Sequence, residues 1–98
     1  MNEENEEIKI DDTPNKRAVA LKYEMGMDNA PRVTAKGKGH IAEKIIEVAR
    51  ENKIPLHEDK EMVKVLDALE LDMEIPPELF RAVAEVLAFI YRMNKKVK

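Results

Sequence analysis

Arg32–Glu58, RVTAKGKGHIAEKIIEVARENKIPLHE, sets the architecture of this chain. Val33 and Ala35 alternate with Arg32, Thr34 and Lys36, the period of two expected of a strand with one buried face. Gly37 and Gly39 interrupt that period where the backbone turns. Ile41, Ile45, Val48 and Ala49 then recur at helical spacing, with Ala42 and Ile46 beside them. They predict an apolar stripe on a helix whose Glu43, Lys44, Glu47, Arg50 and Glu51 take the solvent side. Asn52, with Pro55 three residues on, is a stop signal. Ile54 and Leu56 resume the strand period. A helix between two short strands is most simply a crossover joining parallel strands.

The flanking sequence extends this unit. Residues 1–7 hold four Glu and no apolar residue after Met1, which predicts a flexible acidic lead. Ile8 and Ile10 alternate with charged residues and suit a short edge strand. Asp11–Arg17 (DDTPNKR) is dense in turn formers. Ala18–Tyr23 (AVALKY) is nearly continuous apolar sequence, the pattern of a central strand. The two would form a hairpin about Thr13-Pro14-Asn15. Glu24–Ala30 reads as a loop ended by Pro31. Asp59 is an N-cap candidate for a second helix, with Met62, Val65, Leu66 and Leu69 as its apolar face. Glu70–Ile75 is short enough to be strand or extended connection. Pro77 opens a last helix running to about Met93. The expected fold is α+β: one small domain, a mixed sheet of about four short strands covered by three helices. A flexible segment over 1–12 precedes the domain proper at 13–98.

Composition excludes whole classes of chemistry. The 98 residues contain no Cys, Ser, Gln or Trp, so disulfides, thiolate metal sites and serine or cysteine nucleophiles are ruled out. Charged residues make up 38% of the chain, with a net charge of −3. That balance gives no general attraction to nucleic acid. No apolar run approaches the ~20 residues that span a bilayer, and the start lacks a signal-peptide pattern. A cytoplasmic protein is expected.

Two stretches invite a chemical reading. Lys36-Gly37-Lys38-Gly39-His40 precedes a helix N-terminus, where free backbone N–H groups can hold a phosphate. A small nucleotide- or nucleic-acid-binding domain is therefore the alternative function, against a plain strand-to-helix turn with solvated lysines. The complete phosphate-loop pattern is absent. His40 and His57 are the only histidines, and the predicted topology puts them at opposite edges of the sheet. No metal site, cofactor or catalytic constellation is expected. The last helix is apolar around most of its circumference. It is either buried between the sheet and the second helix or receives a partner segment.

Six segments in order carry a family resemblance: Ala18–Tyr23 (AVALKY), Ala30–Val33 (APRV), Ala35–Gly37 (AKG), Ile54-Pro55, Ile75–Leu79 (IPPEL) and Ala82–Ala88 (AVAEVLA). Together they resemble the cytoplasmic domain of the FlhB family of flagellar and type III export switch proteins, over about residues 13–93. Full-size members carry transmembrane helices before this domain, so the chain is expected to be a free-standing homologue. The resemblance implies a non-enzymatic bacterial protein at the cytoplasmic face of the inner-membrane export gate. There it would bind export substrates or gate components and contribute to substrate-specificity switching, most simply as a monomer. The family's self-cleaving turn reads Asn-Pro-Thr-His, and cleavage is attributed to attack of the asparagine carboxamide on its own carbonyl. The matching positions here are Thr13, Pro14, Asn15 and Lys16, so only the proline is kept and self-cleavage is not expected. The resemblance also implies a substrate-binding depression at Ala30, Pro31, Ala84 and Leu87.

Overall fold

The computed structural model describes residues 4–24 and 30–80. Its sheet has four strands: β1 (Glu4–Asp11), β2 (Arg17–Glu24), β3 (Arg32–Lys38) and β4 (Leu56–Glu58). Two helices, α1 (His40–Glu51) and α2 (Lys60–Asp67), and a 3₁₀ turn at Pro77–Leu79 complete the described elements. The strand order is β3-β2-β1-β4. β1 pairs antiparallel with β2, β2 antiparallel with β3, and β1 parallel with β4. The expected α+β mixed sheet is therefore present, with two of the three expected helices. The third falls outside the described residues, apart from its opening turn.

The strand–helix–strand unit does join parallel strands, but β3 and β4 lie at opposite edges with β2 and β1 between them. Lengths explain how one short helix bridges them. Three strand spacings amount to about 14 Å, and twelve helical residues to about 18 Å.

The sheet is buried on both faces. Ile8, Ile10 and Ala18 pack against Ala42, Ile46 and Ala49 of α1. Val19, Leu21 and Val33 pack against Val63 and Leu66 of α2 and against Ile75. β2 divides its alternating side chains between the two clusters, as a central strand must. The α1-facing layer is rich in alanine, which lets the helix lie close to the sheet.

The structure departs from expectation in several details. The flexible lead and edge strand expected over residues 1–12 give way, from Glu4, to an eight-residue strand paired on both sides. The β1–β2 hairpin spans residue 13. Acidic composition misled because Glu7, Lys9 and Asp11, on the face opposite Ile8 and Ile10, are buried rather than solvated. In α1 the buried line is Ala42, Ile46 and Ala49, whereas Ile41 is 62% and Val48 41% exposed. Two alanines and Ile46 face the sheet, and Ile41 and Val48 do not. In α2 the most buried positions are Val63 and Leu66, and Val65 is exposed. β4 also starts two residues later than the Ile54–Leu56 pattern suggested.

Local chemistry sets the boundaries. Gly39 precedes α1 at φ 58°, ψ −124°, a conformation glycine adopts without Cβ strain. After α1, Lys53 takes φ 57° and the Ile54 N–H returns to the Ala49 carbonyl at 2.8 Å. The Asp59 carboxylate accepts from the Met62 N–H at 3.0 Å, a side-chain cap on α2. The segment at 72–75 lies along the outer side of β3. Asp72 N–H donates to Val33 O at 2.7 Å, Val33 N–H to Met73 O at 3.1 Å and Ile75 N–H to Pro31 O at 2.9 Å. These bonds occupy edge groups that would otherwise be open to another strand.

Candidate functional site

The connection from β1 to β2 is a tight, outward-facing turn. Asp12, Pro14 and Asn15 are exposed, while Thr13 and Lys16 are half-buried. The Thr13 N–H donates to Asp11 Oδ1 at 3.1 Å, the side-chain-to-backbone closure that makes Asp a turn former. Hydrogen bonding from Thr13 holds the Asp11 carboxyl below its ordinary value. Lys16 Nζ lies 3.9 Å from Asp12 Oδ1 across the turn, an exposed pair that contributes little. The Lys16 carbonyl accepts the Gly39 N–H at 2.9 Å. Beside the turn, a cavity of about 440 Å³ is bordered by Asp12 and Lys16 and by Glu43, Glu47, Arg50 and Glu51 of α1.

At the peptide bond before Pro14, Thr13 offers a hydroxyl and no carboxamide. The turn's carboxamide belongs to Asn15, on the far side of the proline. The attack that requires an asparagine immediately before the proline has no group to perform it at this bond.

The glycine turn from Lys36 to His40 is engaged in holding the fold. Lys36 Nζ donates to the Asp67 carbonyl at 2.8 Å and the Leu69 carbonyl at 2.6 Å, satisfying acceptors at the C-terminal end of α2. A Cβ at Gly37 would overlap Cγ2 of Ile41 and lie 2.8 Å from its Cβ. Glycine is needed there for close approach. The Gly39 N–H is already committed to Lys16. Lys38 and His40 remain exposed, too little for a phosphate cradle. His57 sits in β4 opposite Lys9. Burial, and secondarily the Lys9 charge, lowers its basicity. Among the described residues no three His, Asp or Glu side chains converge to hold a metal ion.

Of the four positions expected to receive a partner, Ala30 is 4% exposed and Pro31 is buried. Ala84 and Leu87 lie outside the described residues. Two of the four expected positions are therefore described, and both are buried.

Sequence reasoning missed one electrostatic feature. Glu7 is fully buried, and Lys9 Nζ approaches its Oε2 at 3.6 Å, which is too long for a hydrogen bond. Both carboxylate oxygens lack a hydrogen-bond donor. Desolvation raises the Glu7 carboxyl to about 7, against the partial opposing effect of Lys9. Its neighbours in an acidic run gave no signal of burial. Its burial comes from the packing of distant segments, α2 among them, over this face of β1.

Comparison with known proteins agrees with this geometry. The sequence profile described as the FlhB HrpN YscU SpaS Family matches residues 12–90. YlqH of Bacillus subtilis, described as an uncharacterized protein, is 44% identical over 86 residues, covering 88% of this chain and 92% of YlqH. The flagellar biosynthetic protein FlhB of Aquifex aeolicus is 45% identical over 85 residues, covering 86% of this chain but 24% of that protein. The chain thus spans about a quarter of the length of that FlhB relative. The crystal structure of the cytoplasmic domain of FlhB from Shewanella putrefaciens superposes with a TM-score of 0.76 at 35% identity, covering 94% of this chain and 74% of that one. An EscU C-terminal domain carrying an asparagine-to-aspartate mutation gives a TM-score of 0.77 at 28% identity, covering 85% and 75%. Among the described residues no helix is long and apolar enough to cross a membrane. By profile, sequence identity and fold together, this chain belongs to the FlhB HrpN YscU SpaS family of flagellar and type III export switch proteins.

Proposed function

We propose that this chain is a non-enzymatic binding module of the flagellar or type III export apparatus. It acts at the cytoplasmic face of the inner-membrane export gate, where it engages export substrates or gate components and contributes to substrate-specificity switching. The observation behind this reading is the joint match of sequence and fold to the cytoplasmic domain of FlhB. The β1–β2 turn stands at the position of the family's cleavage site with Thr13 before Pro14, so the module works as an intact chain. The proposed contact positions are Ala30, Pro31, Ala84 and Leu87. The nucleotide- or nucleic-acid-binding alternative is disfavoured, because Lys36, Gly37 and Gly39 already serve packing and hydrogen bonding.

The test is calorimetric titration of the purified chain with hook- or rod-type and filament-type export substrates. Binding of one class with a Kd below about 100 μM, and at least about tenfold preference over the other, is expected for a transient recognition module. Absence of binding to either class, together with absence of binding to the cytoplasmic parts of the export gate, overturns the reading.

A further inference from the structure

The outer flank of α1 carries features that neither the core nor the family turn explains. Ile41 and Val48 project there, 62% and 41% exposed, with Ile45 half-buried between them. Exposed apolar side chains that are contiguous with one another form the kind of patch that marks an interaction site. Beside them is an apolar hollow of about 280 Å³, lined in part by Ala20, Ala35, Val48, Ala49 and Ile54. One surface thus carries both a protruding isoleucine and an alanine-lined recess.

We propose that this flank docks onto the same flank of a second copy of the chain, the two α1 helices running antiparallel. A two-fold interface must be self-complementary, and three features meet that requirement about one axis. Lys44 and Glu51 are exposed seven residues apart, so about 10.5 Å along one stripe of the helix, Lys44 bordering the hollow and Glu51 bordering the cavity beside the turn. Among the described residues neither has an ion-pair partner. An axis crossing α1 near Glu47 and Val48 sets Lys44 of each copy opposite Glu51 of the other. The same axis brings Ile41 of each copy to the Ile54 end of the other's hollow. The antiparallel arrangement also sets each helix N-terminus beside a C-terminus, the favourable dipole alignment. Parallel helices would instead oppose Lys44 to Lys44. The surface is smaller than a standard stable interface, so the dimer is a weak one, with a Kd between about 1 μM and 1 mM. It replaces the monomer expected from sequence.

Sedimentation velocity of the full chain up to about 1 mM tests the proposal. The expected result is a sedimentation coefficient that rises with concentration toward that of a dimer. Ile41→Glu and Val48→Glu should each abolish the rise while retaining the wild-type circular dichroism melt. Lys44→Glu should weaken association about fivefold, since like charges then meet twice across the axis. Lys44→Glu combined with Glu51→Lys should return it to the wild-type value. A chain that stays monomeric at every concentration overturns the proposal, whatever else binds this face. So does a dimer indifferent to both glutamate substitutions, or a charge swap that associates no better than Lys44→Glu alone.

Discussion

Gly39 gives its backbone N–H to the Lys16 carbonyl at 2.9 Å, which fastens the β1–β2 turn to the start of α1. The bond joins the two stretches whose sequences most invited a chemical reading. It leaves the turn positioned as a hairpin connection with Thr13 immediately before Pro14.

The purified chain is accordingly expected to remain whole. Intact mass spectrometry after several days at neutral pH should give the mass of all 98 residues. Two fragments divided between Thr13 and Pro14 would contradict this. Because β1 and β2 pair along their whole length, the hairpin that presents the turn is already built. Thr13→Asn with Asn15→Thr and Lys16→His should therefore introduce cleavage before Pro14.

Lys36 is expected to matter for stability rather than for ligand binding. Lys36→Met removes two charge-assisted hydrogen bonds to the end of α2 and should cost about 1.5–3 kcal/mol in urea unfolding. Polynucleotide titrations should show no more than non-specific affinity, about 10⁻⁴ to 10⁻⁶ M, in both proteins. Submicromolar binding lost on this substitution would reinstate the phosphate-site alternative.

Gly37→Ala should destabilise the chain by about 1–3 kcal/mol through overlap with Ile41. Adding Ile41→Ala removes the overlapping Cγ2 but keeps the Cβ contact at 2.8 Å, so it should restore part of that loss, a coupling readable from a double-mutant cycle. Strictly additive effects would show that the contact is not the reason for the glycine.

Glu7 gives stability a pH dependence of definite sign. Its carboxyl rises from 4.5 to about 7 on folding, so the folded chain holds more protons than the unfolded chain between those values. This group's contribution therefore weakens as pH climbs through that window. His57, whose basicity falls on folding, acts oppositely: its contribution is lost as pH drops below its ordinary value near 6.5. Glu7→Gln isolates the first effect. The variant should match wild type near pH 4 and exceed it near pH 8 by at most roughly 3 kcal/mol. An advantage independent of pH would remove the buried-carboxylate explanation.

Two substitutions test the expected partner positions. Ala30→Asp places an unpaired charge at a buried site and should cost about 3–5 kcal/mol or abolish cooperative unfolding. Leu87→Asp is expected to leave a cooperative unfolding transition and remove binding to hook- or rod-type substrates. Unchanged binding in a stable Leu87→Asp variant would take that position out of the proposed contact set.

Much of the fold was legible because short-range rules decided it. The alternation of Val33 with Ala35, the glycines at 37 and 39, the Asp59 cap and the stop at Asn52 act within a few residues. The hairpin about Thr13–Asn15 obeyed the same rules. That Thr13 carries no carboxamide is a property of one side chain and is read from the sequence alone. The orientation of α1 was not, because Ile41, Ile45 and Val48 form as regular a stripe as Ala42, Ile46 and Ala49. Periodicity cannot say which of two overlapping stripes meets an alanine-lined sheet.

By itself the sequence determined the order of the strand–helix–strand unit and the hairpin before it, the absence of serine and cysteine side chains, and the family signature from Ala18 onward. Those follow from residue identity and local backbone preference. Only the tertiary structure decided that β1 lies inside the sheet, that Glu7 is buried, that Lys36 caps α2 and that Ile41 is left facing solvent. Each of these depends on which distant segment covers a given face. Desolvation and close packing act through space, across separations in the chain that no local pattern encodes.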